Sequence, residues 1–203
     1  MIPAAQFLFW IFLHLPLKFF LRAQVIGLEK IPSPPFILAA NHTAWFDPFL
    51  LLVLPFSTTH LIPIHFLTAS FYHNRWYLRP LLNLLGSYPT TPKAWTWDQL
   101  LANSLDKLRA GNVVLIFPEG QRKLSDRPLT AKPGIIHLAL EGQVSILPLH
   151  VAGHEKMSLG EFLLRKRQLV LKFGDRIILN SHVDPQNYQP EAQKVVNLIY
   201  QLQ

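Results

Sequence analysis

The stretch from residue 36 to residue 48 reads Phe36-Ile-Leu-Ala-Ala-Asn-His-Thr-Ala-Trp-Phe-Asp-Pro48, and it decides the fold that we predict. Its first five residues form an apolar run of the length expected for a buried strand. Polar residues begin at Asn41, directly after that run, and α/β sheets place their chemistry where strands end. The stretch therefore predicts a core strand that leads into a functional loop.

The rest of the chain extends this pattern, because short apolar runs alternate with helical patterns from residue 24 onward. Such alternation is typical of an α/β fold with a largely parallel central sheet flanked by helices. We predict further strands at residues 60–66, 112–117, 145–151 and 168–173. Helices are predicted at residues 134–140 and 190–202, and at 96–108, where Thr96 and Gln99 have the spacing of a capping box. Residues 24–203 are predicted to form one domain.

The composition indicates a lipid-associated protein. Apolar residues make up 50% of the chain and Asp, Glu, Lys and Arg only 15%, against roughly 25% charged residues in average soluble proteins. The net charge of +7 favours an anionic partner, but the basic residues are scattered, which argues against nucleic acid and for a lipid surface or an anionic carrier. The chain has no cysteine, which excludes thiolate nucleophiles and is compatible with a cytosolic location.

The N-terminal segment, residues 1–23, is predicted to form a helix that lies in the membrane interface. It is aromatic and carries no formal charge before Lys18. Gln6, His14 and Pro16 interrupt the apolar run, so it is a borderline membrane span. A signal peptide has its positive charge before the apolar run, not after it. The alternative is a helix packed on the core of the domain.

His42 and Asp47 are the first candidates for catalysis. Residues five apart point about 140° apart on a helix, so the two side chains can meet only across a turn. Asp47 and Pro48 are favoured as N-cap and first residue of a helix, which leaves His42 in the loop before it. Such a pair has the logic of a general base oriented by an acid. Without a Gly-x-Ser-x-Gly elbow or a cysteine, the activated group is predicted to be a hydroxyl of the substrate. The plainer interpretation is that both residues only cap a turn and a helix.

A second candidate site follows the predicted strand at residues 112–117. Gly120 permits a tight turn there, and Arg122 can bind a phosphate through its planar fork of donors. Glu119 can accept from a substrate hydroxyl or hold the arginine. Lys132 precedes a predicted helix start, where a cation and free N–H groups favour an anion. The alternative is an ordinary solvated loop.

Taken in order, these segments resemble the glycerolipid (lysophospholipid) acyltransferase family over roughly residues 25–153. His42 and Asp47 match the family's catalytic H-x4-D block. The segment Phe117-Pro-Glu-Gly-Gln-Arg122 matches its F-P-E-G-x-R block, which contacts glycerol phosphate in relatives. The pair Leu147-Pro148 matches a later block.

The resemblance implies transfer of a fatty acyl group from acyl-CoA or acyl carrier protein to the free hydroxyl of a lysophospholipid, with 1-acyl-glycerol-3-phosphate giving phosphatidic acid as the first expectation. It implies that His42 is the base, that Asp47 orients it, and that the acceptor site contains Glu119, Gly120 and Arg122. No metal or other cofactor is expected, and the enzyme is expected on the cytoplasmic face of a membrane.

One departure from the family pattern affects the acceptor site. Relatives have an arginine a few residues after a glycine, whereas this chain has Gly86 followed by Lys93, one residue late. An ammonium group cannot copy a guanidinium fork. Another lysolipid acceptor, or a non-catalytic lipid-binding protein at a membrane surface, therefore stays open. A lipid hydrolase or phosphatase, in which His42 and Asp47 serve a water or bind a metal, is a further alternative. His150 and His154 have i,i+4 spacing but lack the glutamate of H-E-x-x-H, which argues against zinc.

Overall fold

The computed structural model of the chain describes residues 2–53, 63–90, 96–122, 130–180 and 183–203. Seven strands in these ranges form a single sheet: β1 (Gln24–Ile26), β2 (Phe36–Ala40), β3 (Ile64–Thr68), β4 (Ser87–Pro89), β5 (Val113–Ile116), β6 (Ile146–Ala152) and β7 (Val170–Phe173). Their order across the sheet is β1-β7-β6-β2-β5-β3-β4. Neighbouring strands are parallel except for β6 and β7, which are antiparallel, so the predicted largely parallel sheet is confirmed.

The predicted strands are close to the observed ones, and the main shift is in β3. It begins at Ile64 and continues to Thr68, two residues beyond the predicted end, while residues 60–62 of the prediction lie outside the described ranges. The two edge strands, β1 and β4, were not predicted. Each is three residues long, which is too short to show an alternation in the sequence.

Helices cover both faces of the sheet. They are α1 (Ile2–Leu21), α2 (Asp47–Val53), α3 (Ser70–His73), α4 (Arg79–Leu84), α5 (Trp97–Arg109), α6 (Gly134–Gly142), α7 (Leu159–Leu163) and α8 (Tyr188–Gln201), with short 3₁₀ helices at Leu28–Lys30 and Pro185–Asn187. Helix α5 begins with the predicted capping box, in which Thr96 and Gln99 bond each other's backbone. All three longer helices predicted within the domain are thus present, with ends shifted by one or two residues.

Strand β2 divides the core into two layers, because its side chains alternate between the two faces of the sheet. Phe36, Leu38 and Ala40 pack in one cluster with side chains of α1 and α2. Ile37 and Ala39 pack in the other with side chains of α5, α6 and α8. All five are buried, which explains why the sequence of this strand is uniformly apolar.

Helix α1 packs on the core of the domain with one side and exposes apolar side chains on the other. On one side Phe9, Trp10 and other apolar residues pack against the first core cluster. The buried amide of Gln6 donates to the carbonyl oxygens of Ile64 and Leu85, at 2.7 Å and 2.9 Å, and accepts from the Ile64 N–H at 3.0 Å. On the other side large apolar side chains are exposed to solvent. Its segment Ala4–Leu21 is long and apolar enough to cross a bilayer by length and composition.

The sheet brings three loops to one edge. Strands β6, β2 and β5 are neighbours and run in the same direction, so their carboxyl ends meet there. Asn41 follows β2, Phe117 follows β5 and Gly153 follows β6. The residues that follow these three strands are therefore placed side by side, which is the usual place for a site in a sheet of this kind.

Candidate active site

The loop after β2 is anchored to β6 by the side chain of Asn41. Its amide nitrogen donates to the carbonyl oxygen of Val151 at 2.8 Å, and its amide oxygen accepts from the Val151 N–H at 2.7 Å. The buried amide thus continues the ladder of hydrogen bonds one residue past the end of β2. The following residue, His42, leaves the sheet at a defined position.

His42 and Asp47 form the pair that the sequence predicts. The Nδ1 atom of His42 lies 2.8 Å from Oδ2 of Asp47, and the imidazole stacks on the ring of Phe117 with 4.2 Å between centroids. The Asp47 side chain is fully buried, whereas that of His42 is about one-fifth exposed. Because Nδ1 is engaged by the carboxylate, Nε2 is the ring nitrogen that can take a proton from a substrate.

The carboxylate of Asp47 receives further donors. Its Oδ2 accepts from the backbone N–H groups of Thr43 at 2.8 Å and Ala44 at 2.9 Å, and its Oδ1 lies 2.5 Å from Nε2 of His154. Burial by itself would raise the pKa of Asp47, but the hydrogen bonds of His154, His42 and Ala44 lower the pKa to about 2. Asp47 is therefore an anion at neutral pH.

These contacts correct the predicted N-cap role of Asp47. It is the first residue of α2, but its carboxylate turns back toward the loop at residues 42–44. Two backbone N–H groups of that loop and two imidazoles donate to the carboxylate. Asp47 thus organises the loop that carries His42.

His154 is the residue of this site that the sequence analysis missed. We considered it there only as a metal ligand together with His150, but the two rings have different neighbours: His154 bonds Asp47, while the ring of His150 lies 5.9 Å from that of Tyr200. Among the residues that the structure describes, no group of three His, Asp or Glu side chains is arranged to bind a metal ion. The signal in the sequence was a histidine three residues after the end of a predicted strand.

Glu119 lies behind the His42 loop and is almost completely buried, at 2% exposure. Its Oε2 accepts from the backbone N–H of His42 at 3.2 Å, and its Oε1 accepts from the hydroxyl of Tyr200 in α8 at 2.5 Å. Burial, then the hydrogen bond and charge of Glu119, raise the pKa of Tyr200, which keeps its hydroxyl protonated as a donor. Glu119 thus connects α8 to the loop of the candidate base.

A cavity of about 580 Å³ opens beside His42. Its polar end contains His42, Gly120, Arg122 and Lys132, so four of the predicted site residues share one cavity. Glu119 is not among its lining residues, and Lys93 lies outside the described ranges. The interior is apolar and is lined by side chains of β3, β5, α5 and α6, among them Leu67, Leu100, Leu101, Ile116, Ile135 and Leu138.

Gly120 allows two parts of this wall to approach each other. Its φ is +68°, and a Cβ at this position would lie 2.8 Å from Cγ of Lys132. The N–H of Lys132 also donates to the carbonyl oxygen of Pro118 at 2.7 Å. A glycine is needed here because any side chain would push the lysine away from the turn. The loops that carry Arg122 and Lys132 are thereby joined.

Comparisons with known proteins agree with this architecture. Residues 22–152 match the profile of the Acyltransferase family. A probable 1-acyl-sn-glycerol-3-phosphate acyltransferase of Mycoplasma pneumoniae is 25% identical over 186 residues, which are 88% of this chain and 68% of that protein. The 1-acyl-sn-glycerol-3-phosphate acyltransferase of Bacillus subtilis is 26% identical over 156 residues, 75% of this chain and 72% of that protein.

A solved structure shares the fold. The crystal structure of the 1-acyl-sn-glycerophosphate (LPA) acyltransferase PlsC from Thermotoga maritima aligns with a TM-score of 0.62 at 21% sequence identity. The alignment covers 90% of this chain and 72% of the Thermotoga chain. The likeness in fold therefore extends over most of this chain.

Proposed function

This chain belongs to the Acyltransferase family, and from that premise we propose that it transfers a fatty acyl group from acyl-CoA or acyl carrier protein to the free hydroxyl of 1-acyl-sn-glycerol 3-phosphate, which gives phosphatidic acid. One observation carries the proposal. His42, held by Asp47 at 2.8 Å, lines the same cavity as Arg122 and Lys132. A base for a hydroxyl and cations for a phosphate thus share one opening above an apolar interior that suits acyl chains.

The chemistry follows from the pairing of His42. Its Nε2 takes the proton of the acceptor hydroxyl while the hydroxyl oxygen attacks the carbonyl carbon of the thioester. The tetrahedral intermediate collapses, the carbon–sulfur bond breaks, and the leaving sulfur takes the proton back from His42 and departs as a thiol, which regenerates the base. Asp47 keeps Nδ1 protonated and stabilises the imidazolium between the two steps. No covalent enzyme intermediate is needed, since the thioester is already activated.

The cations at the polar end hold the acceptor in this proposal. Arg122 supplies a fork of donors and Lys132 a point charge for the phosphate, with Gly120 keeping their loops together. Lys93 is proposed as a further cation that binds the phosphate in the acceptor site. Glu119, whose two oxygens bond His42 N–H and Tyr200, acts here as a positioning residue behind the acceptor site.

We also propose that the chain works on a membrane surface, at the cytoplasmic face. The exposed apolar side chains of α1 at Leu8, Phe12, Leu15 and Phe19 are spaced by three or four residues and so form one face of the helix. Since the opposite face of α1 packs on the core, the helix is suited to lie in the interface and not to cross the bilayer. A chain without cysteine agrees with a reducing compartment.

The proposed function is tested by a panel of acceptors and donors. The purified chain is incubated with labelled acyl-CoA or acyl carrier protein and with lysophospholipids that differ in headgroup. We expect a diacyl product with 1-acyl-glycerol 3-phosphate that His42→Ala removes. Release of free fatty acid or phosphate would indicate a hydrolase, and binding without turnover a lipid-binding protein, and either result contradicts the proposal.

Replacing Arg122 by methionine is expected to raise the KM for 1-acyl-glycerol 3-phosphate roughly 10- to 100-fold, because it removes charge-assisted hydrogen bonds to the phosphate. The kcat should change less, since the phosphate is bound equally in the ground and transition states. Arg122→Lys should recover only part of the affinity. Arg109→Met, an exposed position at the end of α5, is the matched control. An unchanged KM in Arg122→Met would remove this residue from the acceptor site.

The double variant Phe12→Glu, Leu15→Glu is expected to bind anionic phospholipid vesicles at least about tenfold more weakly, because two apolar side chains no longer enter the interface. These side chains are 71% and 70% exposed, so the fold should tolerate the changes. Co-sedimentation with vesicles measures the effect. Ile178→Glu, equally exposed but in another part of the chain, should bind like the unmodified protein. Equal loss in both variants would contradict a specific role of α1.

A further inference from the structure

A second imidazole contacts the carboxylate that orients His42. Nε2 of His154 lies 2.5 Å from Oδ1 of Asp47, while Nδ1 of His42 lies 2.8 Å from Oδ2. The His154 side chain is fully buried, whereas His42 faces the cavity. We propose that His154 is a positioning residue for acyl transfer, which fixes the Asp47 carboxylate and limits how much of its charge acts on His42. This inference rests on the function proposed above.

The hydrogen bonds define the tautomer of His154. Asp47 is ionised at neutral pH, so a nitrogen lone pair could not face its Oδ1 at 2.5 Å, and Nε2 must carry the proton. The hydroxyl oxygen of Thr43 lies 3.1 Å from the same nitrogen. The other nitrogen, Nδ1, is buried without a hydrogen-bond partner among the described residues. His154 therefore donates to Asp47 through Nε2, and its Nδ1 has no acceptor within reach in the described ranges.

A neutral His154 suits the charge balance of the reaction. When His42 takes the proton of the acceptor, its positive charge is compensated by the single negative charge of Asp47. Two imidazoliums on the same carboxylate would repel each other in a buried site, which is costly. A proton on Nδ1 of His154 would also find no acceptor nearby, which disfavours the charged form. His154 thus donates to Asp47 without competing for the proton.

The backbone conformation after β6 places the imidazole of His154 against Asp47. Gly153 has a φ of +92°, and a Cβ at this position would lie 1.8 Å from the carbonyl oxygen of Gln168. Only glycine can make the turn that follows Ala152 in such a confined space. The turn carries His154 under the ring of Phe46, at 5.6 Å between centroids, and onto Asp47. His154 reaches the site by a constrained path.

The experiment must separate this role from the other ionisable groups near the cluster. Glu119 bonds the His42 backbone, Glu155 accepts from the Gly153 N–H at 2.9 Å, and Arg122 lines the cavity. Lys132 lines the same cavity, and Tyr200, whose ring lies 5.9 Å from that of His150, bonds Glu119. Variants of His154 leave all of them in place, so a shift in a pH profile reports on the carboxylate and its two imidazoles.

His154→Leu removes the donor, and His154→Gln keeps one, because the amide nitrogen of glutamine occupies about the position of Nε2. With leucine, more of the Asp47 charge acts on His42, which then holds its proton to higher pH. For His154→Leu, we expect the acidic limb of the plot of kcat against pH to move to higher pH by about half to one unit, and kcat itself to fall about tenfold. His154→Gln should keep the unmodified midpoint and most of the rate.

A matched control is His65→Leu, which removes another buried histidine, one that bonds the carbonyl oxygen of Gly86. It should lower stability without moving the midpoint of the profile. The proposal is overturned if His154→Leu keeps the unmodified midpoint, or if His154→Gln is no better than His154→Leu.

A measurement without turnover completes the test. The ring ¹⁵N shifts of His154 in the unmodified protein at about pH 7 should show a proton on Nε2 and none on Nδ1. A proton on Nδ1 would overturn the inference even if the leucine variant does not fold. If the unmodified chain forms no diacyl product, the proposed function fails, while the tautomer and its bond to Asp47 are still decided by the spectra.

Discussion

His42→Ala is expected to lower kcat for acyl transfer by about 10³- to 10⁴-fold, the range for removal of a positioned general base. The acceptor hydroxyl would then attack the thioester without any group to take its proton, since no other imidazole in the described ranges lines the cavity. The KM for both substrates should change little, because Arg122 and the apolar interior remain. Steady-state rates with labelled thioester measure the loss.

Two controls distinguish loss of the catalytic base from loss of the fold in His42→Ala. The thermal unfolding midpoint of His42→Ala should fall only modestly, since the ring is at the cavity surface and Asp47 keeps the donors of Thr43, Ala44 and His154. His65→Ala, at a buried histidine outside the cavity, should retain the rate. Activity within tenfold of the unmodified enzyme would refute His42 as the base.

Asp47→Asn is expected to lower kcat by about 10³-fold, because it removes the negative charge that stabilises the imidazolium of His42. The amide oxygen can still accept from the N–H groups of Thr43 and Ala44, so the loop should keep its shape. The change in kcat should therefore exceed any change in KM. If the variant kept the unmodified rate, the carboxylate would have no part in catalysis.

The same substitution should reveal how Asp47 contributes to stability at different pH. Its pKa is lowered from 3.8 to about 2 in the folded chain, so its contribution is complete above the unfolded value and is lost as the pH falls toward 2. The shift corresponds to about 2 kcal/mol of unfolding free energy at pH 7. Urea unfolding should show a gap of that order between the two proteins at pH 7. The gap should narrow below about pH 4, and a constant gap would contradict the assignment.

The elements that depend on neighbours in sequence were predicted well. The capping box of Thr96 and Gln99 spans three residues, and the strand at residues 36–40 is one apolar run, so local preferences are enough to place both. The pair His42 and Asp47 is five residues apart, and its turn follows from the position of Pro48. The predicted N-cap is a local error, because α2 begins at Asp47 and its carboxylate bonds the preceding loop and His154.

The contacts that were not predicted join residues far apart in the chain. Gln6 bonds the backbone of β3 at a separation of 58 residues, and Tyr200 bonds Glu119 at a separation of 81. In the sequence, a glutamine within an apolar segment indicates an interruption of a membrane span. Only its hydrogen-bond partners in the fold show its structural role. No periodic pattern or motif connects such positions, so only the packing of α1 and α8 on the sheet reveals them.

The sequence by itself determined the layered α/β fold, the loop after β2 and the residue types of its base and acid. Apolar periodicity and turn chemistry act over a few residues and are readable along the chain. The tertiary structure alone decided that His154, 107 residues from Asp47, completes the carboxylate's hydrogen bonds and that Arg122 opens into the same cavity as His42. Such contacts arise because parallel strands that are far apart in the sequence have their carboxyl ends at one edge of the sheet. No local sequence pattern predicts the order of these strands.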